Sequence, residues 1–315
     1  MAEAAPFVSV VVPTYNLAVY TADALESARQ QTFADFEVVI VDDGSTDDTI
    51  GVIEPFLADP RFTLIRQENQ GTAGARNTAI SRSRGEWIAF LDCDDMWEPN
   101  KLEAQARLIE EYPRAALIFS NGTEFTEDGD FGPFYRKREV FPDGAGLRRI
   151  VECNCFWTCS VMVRRQDVLD AGMLRKDLPG VDDFDLWLKI LERGGEARGV
   201  WEPVARYRKR HDSQAVNKTR MLELLLRVYE DFRDRAVDPG LKSIARRCVA
   251  RVRSDLLMVK ARQSLDGGST DWRECRRYLY RAWREYPRRT KPVMMLVTSL
   301  LGGGGSVAKR LTRKW

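Results

Sequence analysis

The chain has 315 residues, of which 44% are apolar and 30% are charged, which is ordinary for a soluble globular protein and enough for a sizeable core. The net charge of +2 conceals an asymmetry, since twelve Lys or Arg and two Glu from Arg273 onward give this end +10, against −8 before it. An apolar run at 293–301 is far below the roughly 20 residues of a membrane-spanning helix. Glu3 stands where a signal peptide would carry basic residues. We therefore expect neither a signal peptide nor a membrane-spanning helix.

The first 110 residues alternate between predicted strands and helices. Apolar, β-branched runs predict strands at residues 7–12, 38–41, 62–65 and 87–91. The spacing of apolar residues predicts helices around 25–28, over 46–56, over 75–83 and after Pro99. This order predicts an α/β fold with a mostly parallel, open, twisted sheet and helices on both faces.

Polar residues follow three of the predicted strands at the point where each strand ends. They are residues 13–16, the pair Asp42-Asp43 and the cluster Asp92-Cys93-Asp94-Asp95. Ligands bind beyond the carboxyl ends of strands in such sheets, so we expect a cleft at this edge. Carboxylates placed there are suited to hold a hard divalent cation, which in turn neutralises a diphosphate.

The pattern is less regular after residue 110. We predict strands at 117–119 and 159–163 and a short helix at 166–171. An amphipathic helix is predicted to follow Asp182-Asp183 and to stop at Gly194-Gly195. Long helices rich in Arg and Leu follow from about Ser213. The expected organisation is a domain over 1–215, a helical region over 216–301, and a flexible Gly-rich joint with a basic tail over 302–315.

The six cysteines predict reduced thiols. Cys153, Cys155 and Cys159 cluster, but they lack a second pair and a nearby His, so a zinc site is not expected. Unpaired thiols are typical of a cytoplasmic protein. We therefore predict a cytoplasmic location, with at most a peripheral position on the inner face of a membrane.

Six segments taken together resemble motifs of the family 2 glycosyltransferases. They are residues 10–16 (VVVPTYN), 41–47 (VDDGSTD), 74–77 (GARN), 90–95 (FLDCDD), 182–188 (DDFDLWL) and 207–211 (YRKRH). The resemblance covers about residues 6–215 and implies the GT-A fold, which is Rossmann-like. It further implies an inverting enzyme that uses a nucleoside-diphosphate sugar, with a leaning to UDP-sugars.

The resemblance implies a nucleotide site at the ends of the first two strands. Pro13, Thr14 and Tyr15 would form the floor and wall of a base pocket, and Asp43, with Asp42 second, would accept a base N–H. Alternatively, the Asp pair caps the helix that begins near Thr46, and Tyr15 is a core residue.

The resemblance also implies a site for Mg²⁺ or Mn²⁺. It gives Asp94 to the metal and Asp92 to the ribose or to a metal-bound water, and it offers His211, the single histidine of the chain, as a further ligand. A lone histidine is otherwise an ordinary surface or core residue. We expect a structural role for Asp95.

Gly74 and Arg76 stand at a predicted helix start, where backbone N–H groups and a guanidinium suit a phosphate. The resemblance places both in the nucleotide-sugar site. The alternative for Arg76 is a surface ion pair with Asp or Glu.

Asp183 is the predicted catalytic base. The positive end of the helix dipole favours its ionised form, whereas desolvation under an acceptor would raise its pKa and strengthen it as a base. Its alternative role, as the N-cap of the amphipathic helix predicted after it, is compatible with catalysis. The same segment offers Asp182 and Trp187 as contacts to a glycan or lipid-linked acceptor.

Two other functions are alternatives. A phosphorylated signalling receiver also has an acidic Mg²⁺ pocket, but it needs a Lys at a later strand end, and we find none in the sequence. A catalytically idle sugar-nucleotide-binding or scaffolding protein of the same fold stays open.

The basic C-terminal region suits an anionic membrane surface or a solvated helix face. It lacks the interleaved aromatics of a base-stacking surface, so nucleic acid is not an expected partner.

Overall fold

The structure is a computed structural model that describes residues 4–210, 217–266, 272–288, 290 and 292–295. The chain forms two compact units, divided between residues 213 and 214. The predicted domain limits at 215 and 301 stay a prediction, and the joint and tail at 302–315 lie outside the described residues. Within the described part of the chain, no helix is both long and apolar enough to span a bilayer.

The first unit is built on one sheet. Its strands are β1 (Val8–Thr14), β2 (Phe36–Asp42), β3 (Phe62–Arg66), β4 (Trp87–Phe90), β5 (Met96–Trp97), β6 (Leu117–Thr126), β7 (Gly129–Pro133), β8 (Met162–Arg164) and β9 (Ala197–Arg208). Its helices are α1 (Ala18–Arg29), α2 (Thr49–Ile53), α3 (Gly71–Arg82), α4 (Lys101–Glu111), α5 (Leu147–Glu152), α6 (Arg165–Asp170) and α7 (Asp182–Glu192). The strand order is β3-β2-β1-β4-β8-β6-β9-β5, with β7 paired to β6.

The predicted α/β fold is confirmed, and its parallel part is the half made by β1 to β4. β1 pairs in parallel with β2 and β4, and β2 pairs in parallel with β3. Val8, Val10 and Val12 point to one face, where they share a core cluster with Leu25 of α1. Alternate residues point to the opposite face, and α3 packs against β1 and β2.

The other half of the sheet is mixed rather than parallel. β8 is antiparallel to both β4 and β6, β6 is parallel to β9, and β9 is antiparallel to β5. The strand predicted at 159–163 begins only at Met162, because Thr158–Ser160 forms a 3₁₀ turn. The consequence is a rigid turn directly before a central strand.

Two predicted helix starts are corrected. The helix expected from Thr46 begins at Thr49 and continues as a 3₁₀ turn over Glu54–Ala58. The helix expected at 75–83 already begins at Gly71, so Gly74 lies inside its first turns. A Cβ on Gly74 would lie 2.5 Å from the Cβ of Gln70, which explains why a glycine stands there.

The second unit is helical. It contains α8 (Lys218–Arg235), α9 (Pro239–Asp266) and α10 (Trp272–Glu285), and α9 packs against both neighbours. Ala261 of α9 meets Cys275 and Leu279 of α10 in a small apolar cluster. α10 therefore buries one face against α9.

Candidate active site

The ends of β1 and β2 are joined by hydrogen bonds. The backbone N–H of Asp43 donates to the carbonyl of Thr14 at 2.9 Å. Asn16 has a left-handed backbone with φ 51°, and its side-chain Oδ1 accepts a 2.7 Å bond from the N–H of Thr46. The two polar segments that were predicted to share an edge of the sheet are thus in contact.

Asp42 and Asp43 are both buried at this junction. One oxygen of Asp43 accepts from the side chain of Gln67 at 2.7 Å and from the N–H of Gln70 at 2.9 Å. Asp42 accepts from the N–H of Ser45 at 3.2 Å through Oδ1, while its buried Oδ2 has no hydrogen-bond partner within the described residues. The capping alternative is wrong, because α2 begins at Thr49 and neither carboxylate bonds to its first turn. Nε of Arg66 lies 3.8 Å from this Oδ2 of Asp42, as an ion pair beyond hydrogen-bond distance. The preference for Asp43 over Asp42 stays a prediction.

The three predicted base-pocket residues differ in exposure. Pro13 and Thr14 are buried in β1, whereas Tyr15 is 45% exposed. The alternative that Tyr15 is a core residue is therefore wrong. Tyr15 is the member of the three that presents a ring to solvent beside the Asp42-Asp43 turn.

The guanidinium of Arg76 connects two acidic segments that are far apart in sequence. Its Nη2 lies 2.6 Å from Asp92, which follows β4, and its Nη1 lies 3.3 Å from Asp182, in the first turn of α7. The ion pair with Asp that was offered as its alternative is therefore present, but the Arg76 side chain is 7% exposed, so the surface position given to it is wrong. Burial opposes its charge, but the two carboxylates raise the pKa of Arg76 above its ordinary value. A direct contact of Arg76 or Gly74 with a phosphate stays a prediction.

Arg208, at the end of β9, and Arg210, just after it, donate hydrogen bonds to the rest of the acidic cluster. Arg210 Nη1 donates to the carboxylate of Asp94 at 2.9 Å. The backbone N–H of Arg208 donates to Asp95 at 2.9 Å, and its Nε donates to the carbonyl of Asp94 at 2.9 Å. Asp95 is buried and takes part in this backbone contact, in line with the structural role expected of it. His211, the further metal ligand predicted from the sequence, lies outside the described residues.

The acidic cluster suits a cation that also carries a phosphate ligand. Burial and the neighbouring charge of Asp92 raise the pKa of Asp94, and Arg210 opposes this rise. Within the described residues, no group of three or more His, Cys, Asp or Glu side chains surrounds a common point. Asp92 and Asp94 alone do not complete an octahedral shell. Mg²⁺, however, is usually bound by one or two carboxylates together with substrate phosphates and waters, and the donor set fits this mode.

Asp183 is half-buried in the first turn of α7. The hydroxyl of Thr158 donates to its Oδ2 at 2.8 Å, and the N–H of Phe184 donates to its Oδ1 at 2.6 Å. Burial and the charge of Asp182 raise the pKa of Asp183 to about 6, against the opposing effect of the Thr158 hydrogen bond. The N-cap of α7 is Val181 rather than Asp183. The carboxylate is therefore ionised at neutral pH and is more basic than an ordinary Asp.

The acceptor contact predicted for Trp187 is wrong. Its side chain is fully buried, and its ring meets Phe90 of β4 edge-on at 5.4 Å between centroids. The cause is the amphipathic pattern of α7, which directs this position into the core. Asp182 is 2% exposed and is bonded to Arg76, so its acceptor contact stays a prediction that needs this pair to open.

Three residues at the site were missed in the sequence. Arg208 ends β9 and Arg210 follows it, in the segment that ends at His211. Their spacing of two residues, which places side chains on the same side of an extended chain, could have indicated them. Thr158 carries no sequence signal, because its partner Asp183 lies 25 residues away on another element.

Comparisons with known proteins point to one family. A sequence model of Glycosyl transferase family 2 matches residues 9–170. A glycosyltransferase assigned to teichuronic acid biosynthesis, TuaG of Bacillus subtilis (strain 168), is 32% identical over 234 residues, covering 72% of this chain and 88% of that protein. The Escherichia coli UDP-Glc:alpha-D-GlcNAc-diphosphoundecaprenol beta-1,3-glucosyltransferase WfaP is 33% identical over 221 residues, covering 68% and 82%.

Solved structures share the fold at low sequence identity. S. aureus TarS 1-349 in complex with UDP-GlcNAc aligns with a TM-score of 0.66 at 19% identity, covering 93% of this chain and 87% of that one. The mannosyltransferase PcManGT from Pyrobaculum calidifontis, in complex with GDP-Man and Mn²⁺, aligns with a TM-score of 0.64 at 20% identity, covering 98% and 84%.

Proposed function

The chain belongs to Glycosyl transferase family 2, and we propose that it transfers a sugar, with inversion, from a nucleoside-diphosphate sugar to an acceptor hydroxyl. The observation that carries the proposal is the carboxylate of Asp183 at the start of α7, which Asp182 and Arg76 connect to the acidic cluster behind β4. These contacts support a proton acceptor and a diphosphate site on one rim of the sheet.

We propose a UDP-sugar as the donor and a glycan or lipid-linked hydroxyl as the acceptor, in the synthesis of a cell-surface polysaccharide or glycoconjugate. The name of WfaP states a UDP-Glc donor and a diphosphoundecaprenol acceptor for that protein, and TarS is described with UDP-GlcNAc. The name of TuaG assigns that protein to teichuronic acid biosynthesis. These relatives support the substrate classes without fixing the sugar.

The proposed step is a single displacement. The acceptor oxygen forms a bond to the anomeric carbon while the bond between that carbon and the diphosphate oxygen breaks. The proton of the acceptor hydroxyl moves to Asp183, and the electron pair of the broken bond leaves with the nucleoside diphosphate. Attack from the face opposite the leaving group inverts the anomeric centre, and no covalent enzyme intermediate is needed.

Negative charge on the leaving diphosphate would be balanced by a divalent cation held at the acidic cluster and by the neighbouring arginines. Asp94 and Asp92 would hold Mg²⁺ or Mn²⁺, with His211 as a further candidate, and such an ion supplies Lewis-acid stabilisation of the departing oxygen. Arg210 would approach the diphosphate once its bond to Asp94 is exchanged. Its guanidinium would add a charge-assisted contact there.

We further propose that the protein acts at the inner face of a membrane, through α10. Arg277, Arg281 and Arg284 are exposed and recur at intervals of four and three residues, so they form one stripe along the helix. Tyr280 and Trp283 are 46% and 37% exposed beside this stripe, with their rings 5.9 Å apart. Arginines flanked by aromatic rings suit the headgroup region of an anionic bilayer.

A screen of nucleotide sugars tests the proposed activity. With Mn²⁺ present, we expect UDP release from one UDP-sugar, slow without acceptor and accelerated by a lipid-linked glycan. A catalytically idle binding protein of the same fold would bind the donor without releasing UDP under either condition. That outcome would replace the enzymatic proposal by this alternative.

A further inference from the structure

The hydrogen bond between Thr158 and Asp183 joins two elements that are separate in the fold. Thr158 is the first residue of the 3₁₀ turn Thr158–Ser160, and Asp183 lies at the start of α7. The donor–acceptor distance from Thr158 Oγ1 to Asp183 Oδ2 is 2.8 Å. The proposed function uses Asp183 but assigns nothing to Thr158.

Two buried side chains donate hydrogen bonds to the backbone of the turn that carries Thr158. The indole N–H of Trp97, in β5, donates to the carbonyl of Cys159 at 2.7 Å. The amide of Gln105, in α4, donates to the carbonyl of Ser160 at 2.8 Å. Buried hydrogen bonds of this kind are costly to break, because the freed groups have no water to bond with. The position of Thr158 is therefore set by the core of the sheet.

A further buried contact supports the same turn. Lys101 is fully buried, donates from Nζ to Gln105 Oε1 at 2.7 Å and lies 3.9 Å from the ring centroid of Trp97. The two side chains that hold the turn are thus both in contact with one buried lysine. Side chains joined by such connected polar contacts have few alternative conformations.

The carboxylate of Asp183 is consequently fixed at both oxygens. Thr158 bonds to Oδ2, and the N–H of Phe184 bonds to Oδ1. An ionised carboxylate offers about four lone-pair sites, so each oxygen keeps one for the acceptor proton. The plane of the carboxylate, and hence the direction of the remaining lone pairs, depends on Thr158.

We propose that Thr158 is a positioning residue that orients Asp183 for removal of the acceptor proton, held in place by Trp97 and Gln105. The proposal rests on the proposed function of Asp183. The charged groups that act on Asp183 are Asp182, from its own helix, and Arg76, from α3. The hydroxyl of Thr158 also favours the ionised carboxylate and so opposes the rise in pKa caused by burial.

The test compares Thr158→Val, which keeps the shape and removes the hydroxyl, with Thr158→Ser, which keeps the hydroxyl. For the Val variant we expect kcat to fall by about ten- to a hundredfold, since misplacing a reacting group by about 1 Å costs that much. The donor KM should stay unchanged, and the acid limb of the kcat/KM profile should move to higher pH. The Ser variant should recover most of kcat and the original limb.

Thr32→Val is the matched control, since Thr32 donates a 2.8 Å bond to the carboxylate of Glu103 on the exposed surface. It should leave kcat and the pH profile as in the wild type. Wild-type kcat and an unmoved acid limb in Thr158→Val would overturn the proposal, while loss of activity in Asp183→Asn would leave the proposed function standing. If Asp183→Asn keeps its activity, the proposed function itself fails. If Thr158→Val does not fold, Thr158→Ala repeats the test, and failure of both to fold would make the hydroxyl structural and overturn the proposal.

Discussion

The carboxylate of Asp94 accepts a 2.9 Å hydrogen bond from the guanidinium of Arg210, so an arginine neutralises the group that is proposed to bind the cation. A divalent cation must therefore compete with Arg210 for Asp94. The Arg210 side chain is 11% exposed, and solvent screens this pair only partly. The arginine and the cation are expected to alternate on Asp94.

Replacing Arg210 by Gln should raise the affinity for Mn²⁺ measured without nucleotide, by about tenfold for a competing interaction of roughly 1.4 kcal/mol. Titration of Mn²⁺ followed by electron paramagnetic resonance measures the free ion directly. Lys209→Gln is the control, because Lys209 pairs with Glu124 on the surface and its loss removes the same charge. Equal Mn²⁺ affinity in Arg210→Gln and wild type would show that Arg210 and Mn²⁺ do not compete for Asp94.

Replacing Arg76 by Gln should lower the free energy of unfolding by about 3–5 kcal/mol, because the buried carboxylate of Asp182 and that of Asp92 lose their common counter-charge. Urea unfolding at pH 7 measures the change. Arg84→Gln removes a surface arginine that is 50% exposed and pairs with Glu37, and it should cost no more than about 1 kcal/mol. If the two variants are equally stable, the Arg76 bridge does not hold these segments together.

The rate of transfer should fall as the pH decreases through about 6. Burial and Asp182 raise the pKa of Asp183 to about 6, and the protonated acid cannot take the acceptor proton. Below this pH, kcat/KM for the acceptor should drop by about tenfold per unit, whereas above it this group causes no loss. A profile that stays flat down to the ordinary pKa of an aspartate, near 4, would remove Asp183 as the base.

The arginine stripe of α10 should bind anionic vesicles. Replacing Arg277, Arg281 and Arg284 together by Gln should weaken binding to phosphatidylglycerol vesicles by about a hundredfold at low salt, at roughly 1 kcal/mol per arginine. Flotation of the full chain measures the bound fraction. The control replaces Arg82, Arg107 and Arg246, which are exposed arginines on other helices, by Gln. It therefore has the same net charge as the test variant. Equal flotation of the two triple variants would exclude the stripe as the membrane contact.

The parallel half of the sheet could be predicted because each of its strands is mostly apolar and rich in β-branched residues or aromatics. Strand β9 could not, since Ala197–Arg208 contains three arginines and a proline. Arg206 and Arg208 nevertheless pack over the ring of Phe125, with centroid distances of 4.7 and 4.6 Å, so an aromatic neighbour accommodates these charged residues in the strand. Pro203 is accommodated where the register with β6 shifts.

The candidate site was predictable where its residues follow strands, and less so where partners come from distant parts of the chain. The acidic cluster behind β4 lies at the predicted edge because strand ends meet there. The bond from Arg76 to Asp182 spans 106 residues, and that from Arg210 to Asp94 spans 116. No local pattern encodes such pairs. Trp187 illustrates the converse, since a tryptophan beside an acidic motif is read as a ligand contact, although helical periodicity assigns it to the core.

The most direct test replaces Asp183 by Asn and measures sugar transfer together with donor affinity. Loss of a general base without loss of shape should lower the transfer rate by about a thousandfold. Calorimetric binding of the nucleotide sugar should stay within about twofold of wild type, because Asp183 acts on the acceptor. Transfer by Asp183→Asn at the wild-type rate would contradict the assignment of the base, and with it the mechanism proposed for this protein.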